Sequence, residues 1–440
     1  MATPSSFPLA FTVRRCKPEL VAPAKPTPHE QKLLSDIDDQ ESLRLQVPWI
    51  QFYRYEPSME GKDIAEVIKE VLAQTLVFYY PFAGRLKEGA HGKLIVDCNG
   101  EGVMFIKADA DVTLEQFGEP LQPPFPCFEE LLFDVPGSQA MLNCPLLLVQ
   151  VTQLKCGGFI FALRFNRVMC DGTGLQQFMS AIGEMARGVV TPSMPPVWER
   201  HLLNARDPPR VRFTHHEYDR VEATVIMDNM VECSFFFGPV EVSLLRSLLP
   251  LHLRHCTKFE LITACLWRCR TIAVNLDPDE QGNVLVSPTA ITTVRNLCHN
   301  PVGYAVELIK KAIANVTVEF IKATADLFAI RGKSLHVPAV IGSYGISDLM
   351  HMGFENVDFG RWGKAVFGGT AKATGLVSFF IPTKNKEGQV GTLVPICLPA
   401  SAMERFSNEL HNVLKHQHIE VEEEAYEALE EEEKKDEAKI

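Results

Sequence analysis

The sequence has no Cys-x-x-Cys pair, no apolar run of about 18 residues and no basic stripe, and each lack narrows what the chain can be. Twelve cysteines lie scattered between Cys16 and Cys397. Such scatter argues against a zinc cluster or a disulfide framework and for reduced thiols, including the helically spaced Cys265 and Cys269, that pack as small hydrophobes. Without a long apolar run, no membrane span is expected. The first 28 residues lack the continuous apolar core of a signal peptide and read as ordinary mature sequence. An acidic body without clustered lysine and arginine excludes nucleic acid as an expected partner. No short repeat is present.

What is there is globular in composition. Apolar residues make up 46% and charged residues 22% of 440, which suits two domains. The net charge of −12 is uneven: from Glu420 onward eleven acids face three lysines. That segment reads as a solvated acidic tail over 419–440.

Periodicity supplies the elements. Residues 47–55 read as a strand, and Ile64, Ile68, Val71 and Leu72 mark an amphipathic helix. Pro81 and Gly84 then interrupt regular structure. Residues 94–96 and 103–106 read as a hairpin around Asn99-Gly100. Residues 146–154 and 159–165 are further strands joined through Gly157-Gly158. A helix follows, with Leu175, Phe178, Met179, Ile182 and Met185 on one face and Gly188 as its stop.

From 192 to 232 the pattern weakens into prolines and polar residues, which predicts a crossover between domains 1–191 and 233–418. Strands are expected at 233–237, 377–381 and 393–398, the last two separated by a polar turn over 384–391. Helices are expected at 242–249 and 259–270, and one more from 302 towards 328. The glycine-rich stretches 342–347 and 360–370 read as loops. Strands and helices mix in both halves, so the fold class is α/β.

Polar residues gather at one place. A buried strand ends in Asn166, Arg167 and Asp171-Gly172, and a helix follows, which puts polar side chains at the mouth of a sheet. Taken alone, the same pattern also describes a strand closed by a turn, with Asp171 as the helix N-cap.

The surrounding motifs extend this reading. They include Leu34-Ser35-Asp36-Ile37-Asp38-Asp39-Gln40, Tyr80-Pro81-Phe82-Ala83-Gly84-Arg85-Leu86 and Val96-Asp97-Cys98-Asn99-Gly100-Glu101-Gly102. Others are Cys144-Pro145-Leu146-Leu147-Leu148-Val149-Gln150-Val151-Thr152, the run Thr263 to Thr271, and Val394-Pro395-Ile396-Cys397-Leu398-Pro399. With these, nearly the whole chain resembles the BAHD family of plant acyl-CoA-dependent acyltransferases, in the branch similar to alcohol acyltransferases and benzyl alcohol benzoyltransferases.

The resemblance implies two chloramphenicol-acetyltransferase-like domains with a channel between them. Acyl-CoA is the implied cosubstrate and a small alcohol the acceptor, with no bound cofactor and no metal. It also implies a cytoplasmic monomer. A histidine in the family motif His-x-x-x-Asp-Gly deprotonates the acceptor. Its aspartate is structural and forms a salt bridge, and a second motif, Asp-Phe-Gly-Trp-Gly, supports the channel from outside it.

Three departures stand out against that pattern. Aligning Asn166 and Asp171-Gly172 puts Arg167 at the histidine position, with Asn166 and Gly172 beside the substrate. Arginine stays protonated at neutral pH and has no lone pair to take a proton. Its cation suits an oxyanion or a CoA phosphate instead. His215-His216-Glu217-Tyr218-Asp219 matches the spacing by chance and reads as a surface loop.

Second, a segment of roughly twenty residues is missing near Gln281, and with it a sheet strand, part of the acceptor pocket and the usual arginine partner of Asp171. Arg167 and Arg164 are the substitutes at hand. Third, the supporting motif reads Asp358-Phe359-Gly360-Arg361-Trp362-Gly363, with Arg361 inserted, and a local bulge is the favoured outcome. The function implied is an acyl-CoA-dependent O-acyltransferase weakened by Arg167, or a non-catalytic relative that binds CoA thioesters or a partner.

Overall fold

The computed structural model describes residues 9–138, 140–213, 215, 229–279, 281–285, 289–333 and 343–415. The acidic tail and the rest of the His215–Asp219 cluster lie outside the described residues. Two large sheets, each with its own apolar core, make an α/β architecture.

The first sheet has seven strands. Its path runs Val13–Arg15, Val103–Ala110, Leu147–Leu154, Phe159–Asn166, Gln46–Tyr53 and Phe367–Gly369, and Glu19–Val21 also pairs with Val103–Ala110. Leu147–Leu154 and Phe159–Asn166 are buried almost throughout, so they read as continuous apolar runs. Helices Ile64–Thr75 and Gly172–Ala186 pack together over this sheet with Ile68, Leu72, Phe178 and Ile182 inward. The Asp63 carboxylate caps the first of them, accepting from the Ala65 amide at 3.1 Å.

The second sheet runs Met230–Phe237, Val390–Pro399, Val377–Lys384, Ser343–Asp348, Gln281–Leu285 and Thr289–Thr293. Helix Lys258–Val274 is buried along most of its length, and Val302–Ala314 packs against it. Thr257 and Glu260 close its N-terminus reciprocally, at 3.1 and 2.7 Å.

The two halves are interleaved. Phe354, Val357, Phe359 and Phe367 belong to the first core although they follow the second sheet's strand Ser343–Asp348 in the chain. Phe354 lies 3.9 Å from Trp49, ring to ring, and its carbonyl accepts from Gln51 Nε2 at 2.8 Å.

Several expectations are corrected. Leu94–Asp97 and Val103–Ala110 do not form a hairpin. The former pairs with Gln31–Leu33 and Arg85–Glu88, and the latter enters the large sheet. Asn99 Oδ1 accepts from the Glu101 amide at 3.1 Å and Gly100 takes φ +71°, and Gly102 then steers the chain, at φ +104° with the Val21 carbonyl only 2.5 Å from where a Cβ would sit. Turn chemistry fixes a reversal and leaves the pairing partner open.

The helix expected from 302 towards 328 is two, Val302–Ala314 and Val318–Arg331, because Thr317 caps the second at the Phe320 amide, 3.1 Å away. Ser343–Asp348 is a central strand, paired in parallel on both sides, where a loop was expected. Gly342 lies outside the described residues. Within 360–370, Gly360–Trp362 forms a 3-10 turn and Phe367–Gly369 a strand. His215 is itself buried against Phe320, where an exposed position was expected. The sheet also runs on through the junction near Gln281, with Gln281–Leu285 paired on both sides.

Candidate active site

The chain leaves the first sheet at Asn166 and enters helix Gly172–Ala186 through five residues, 167–171. Asn166 is buried and spends its side chain on this loop: its Oδ1 accepts from the Val168 amide at 3.3 Å, and its Nδ2 faces the Met141 sulfur at 3.6 Å. The Arg167 amide donates to the Leu45 carbonyl at 2.9 Å, and Arg167 Nη1 to the Cys170 carbonyl at 3.0 Å. Its half-buried guanidinium has no carboxylate within 4 Å among the described residues.

Asp171 is exposed and acts as helix cap, accepting from the Gly174 amide at 2.8 Å. Among the described residues it forms no ion pair. Neither expected substitute reaches it: Arg164 pairs with Asp134, and Arg167 holds Cys170. Gly172 opens the helix beside the Met352 methyl. Burial pushes the Cys170 thiol up to about 12, so it carries no thiolate at neutral pH.

A second cation approaches the same loop from outside, where sequence reasoning did not look. Arg200 donates to Asp38 at 2.7 Å, to the Val168 carbonyl at 2.9 Å, and to the Met169 carbonyl. The partners lie more than 30 residues away in the chain, so no spacing announces them.

The segment around Asp358 packs on the far end of the helix. Phe359 is buried against Tyr53, Phe159 and Phe161. The turn closes on itself: the Phe359 amide donates to the Gly363 carbonyl at 3.1 Å, and the Gly360 amide to Asp358 Oδ1 at 2.8 Å. Arg361 is exposed on this turn and Trp362 half-buried against the first core. Gly183 admits the segment, because a Cβ there would sit 2.9 Å from the Asp358 carbonyl. Burial, with Asp358 nearby, drives the Tyr53 phenol well above its ordinary pKa, so it stays neutral.

Comparison with known proteins decides the family. The Transferase family model matches residues 11–281 and 274–413. The chain belongs to the BAHD acyltransferase family. It is 56% identical to the benzyl alcohol O-benzoyltransferase of Petunia hybrida, over 94% of this chain and 96% of that one. It is 50% identical to alcohol acyl transferase 1 (allele GSa) of Malus domestica, over 92% and 95%.

Solved structures share the fold. Vinorine synthase superposes with a TM-score of 0.67 at 19% identity, covering 91% of this chain and 98% of that one. TRI101 of F. sporotrichioides, complexed with coenzyme A and T-2, gives 0.68 at 18%, over 86% and 97%.

The family match falls into two overlapping stretches. Its two stretches meet at 274–281, the place expected to lack a segment. The Petunia alignment spans 446 positions, more than the 440 residues of this chain, while using only 94% of them. Some aligned positions therefore hold no residue from this BAHD chain.

Proposed function

We propose that this protein is an acyl-CoA-dependent O-acyltransferase that joins an alcohol to an acyl-CoA, and that Arg167 leaves it without a general base. The observation that carries this reading is Arg167 itself, on the loop between a buried strand and the helix capped by Asp171.

In the reaction, the acceptor hydroxyl loses its proton as its oxygen attacks the thioester carbonyl. The carbon–sulfur bond then breaks, and CoA leaves as the thiol. A histidine at position 167 would take that proton, whereas a guanidinium has no lone pair to do so. Arg167 supplies positive charge to a developing oxyanion or a CoA phosphate. Orientation of the two substrates supports a residual rate. The relatives named as benzoyl- and acyltransferases, and the coenzyme A in the TRI101 complex, support the substrate classes.

On this reading, 1–191 and 233–418 are the two units, 192–232 is the crossover and 419–440 the tail. Asn166 and Gly172 line the substrate, and Asp358, Phe359, Gly360, Trp362 and Gly363 keep the shape of the site. The chain is a cytoplasmic monomer on this reading, and a reducing compartment fits twelve free cysteines. Among the described residues, no helix is long and apolar enough to cross a membrane.

A second reading, a non-catalytic binder of CoA thioesters or of a partner protein, is favoured by the same arginine and by the break at 274–281. Thiol release from benzoyl- and acetyl-CoA with a panel of alcohols separates the two. Slow release that Arg167→His raises by roughly 10²–10⁴ supports the enzyme. Silence from both folded chains, with retained acyl-CoA binding, supports the binder.

A further inference from the structure

The loop over 167–170 turns three successive carbonyls towards guanidinium groups. Cys170 is held by Arg167, and Val168 and Met169 by Arg200. Arg200 sits in the 3-10 turn Arg200–Leu203, at a distance of more than 30 residues along the chain from the loop it grips.

Its guanidinium is fixed on two further sides. Asp38 Oδ2 accepts from Nη1 at 2.7 Å, and the Trp198 ring lies under the group at 4.3 Å. Asp38 is held in turn, since the Ser35 hydroxyl donates to Oδ2 at 2.5 Å and accepts from the Asp38 amide at 3.0 Å. Both partners of the ion pair are more than four-fifths buried.

The neighbouring residues repeat the connection. Asp36 accepts from the Ala205 amide at 2.8 Å, and its own amide donates to Asn204 Oδ1 at 3.2 Å. Residues 35–38 and 200–205 therefore form one docked unit lying against the loop.

We propose that Arg200, oriented by Asp38, is a positioning residue that sets the conformation of the loop and so the direction of the side chain at 167. The physical basis is the planar fork of a guanidinium. It presents several donors in fixed geometry, so one group fixed to a carboxylate holds two consecutive carbonyls at once. The loop contains Val168 and Met169, whose side chains are buried, so a shift of these peptides is transmitted to residue 167 rather than absorbed by solvent.

The tie between Arg200 and the loop stands on the geometry. Its consequence for catalysis rests on the acyltransferase reading, so the test has two arms. The first is amide hydrogen exchange in the chain as written. Arg200→Met should speed exchange across 166–175 by about tenfold, the loss of roughly one or two hydrogen bonds. Asp38→Asn should speed it less, and the double variant no more than Arg200→Met alone, because Asp38 acts through Arg200. Arg200→Lys keeps the charge but not the fork, and should recover only part of the protection. Strand Val390–Pro399 serves as the remote control and should be unchanged.

The second arm is kinetic and uses Arg167→His. There Arg200→Met should lower kcat by about tenfold while KM for acyl-CoA moves less than about twofold. A silent Arg167→His chain counts against the acyltransferase reading alone, and the exchange arm still decides the tie. Unchanged exchange at 166–175 overturns the proposal. So does an equal rise in the control strand, or an unchanged kcat in an active Arg167→His chain whose loop has become faster.

Discussion

At the scale of single residues, the site is defined by what each side chain can do with a proton. Arg167 cannot accept one, and Cys170 does not give one up near neutrality because burial holds its thiol near 12. A maleimide at pH 7 should therefore label exposed Cys16 long before Cys170, with peptide mass spectrometry as the readout. Equal labelling would mean that the loop opens readily. The place of Arg167 after a buried strand was legible in the sequence, because the apolar run and the following helical face bracket it. The grip of Arg200 was not legible, since it joins residues far apart whose types also suit an exposed turn.

At the scale of elements, the strand, loop and helix around 159–186 follow from local chemistry. The run Phe159–Asn166 is buried on both faces, and the helix begins where Asp171 can accept from Gly174. Asp171→Ala should cost about 1 kcal/mol of stability and Asp171→Asn much less, measured by denaturant unfolding. An equal loss in both would place the role of Asp171 elsewhere. Phe359→Ala should cost more, about 3–5 kcal/mol, because Phe359 fills a ring cluster with Tyr53, Phe159 and Phe161.

The elements that sequence reading missed have a common cause. Asn99-Gly100 specifies a turn but not a partner, and the glycine-rich stretch 342–347 reads as a loop until the parallel neighbours on both sides of strand Ser343–Asp348 are known. The break between the helices at Thr317 was visible as a capping residue, but continuous apolar spacing outweighed it.

At the scale of the molecule, the halves depend on each other. Phe354 and Phe367 complete the first core from the second half, and the buried Asp326 ties helix Val318–Arg331 to residues 206–210 through the Arg206 side chain and the amides of 206 and 210. Burial alone would raise the Asp326 pKa, but the Arg206 side chain and these amides outweigh it and hold it below the ordinary value. A depressed carboxyl stabilises the fold above its unfolded pKa, and that stability is lost as pH falls through its folded pKa. Asp326→Asn should therefore be less stable than the chain as written at pH 7. The gap should narrow below about pH 5, as followed by thermal melts. A gap that stayed constant with pH would remove charge from the explanation.

The break at 274–281 is also a whole-molecule feature. The sequence reading expected a segment to be missing there, and the sheet passes the junction with Gln281–Leu285 paired on both sides. Pairing of this kind depends on strands distant in the chain, so local patterns could not foretell it.

The most direct measurement is the pH dependence of kcat/KM for thiol release by Arg167→His beside the chain as written. A restored imidazole should give a rate that rises through about pH 6.5, while the arginine chain stays slow and flat across that range. Fast ester formation by the arginine chain, matched by Arg167→Ala, would contradict the account.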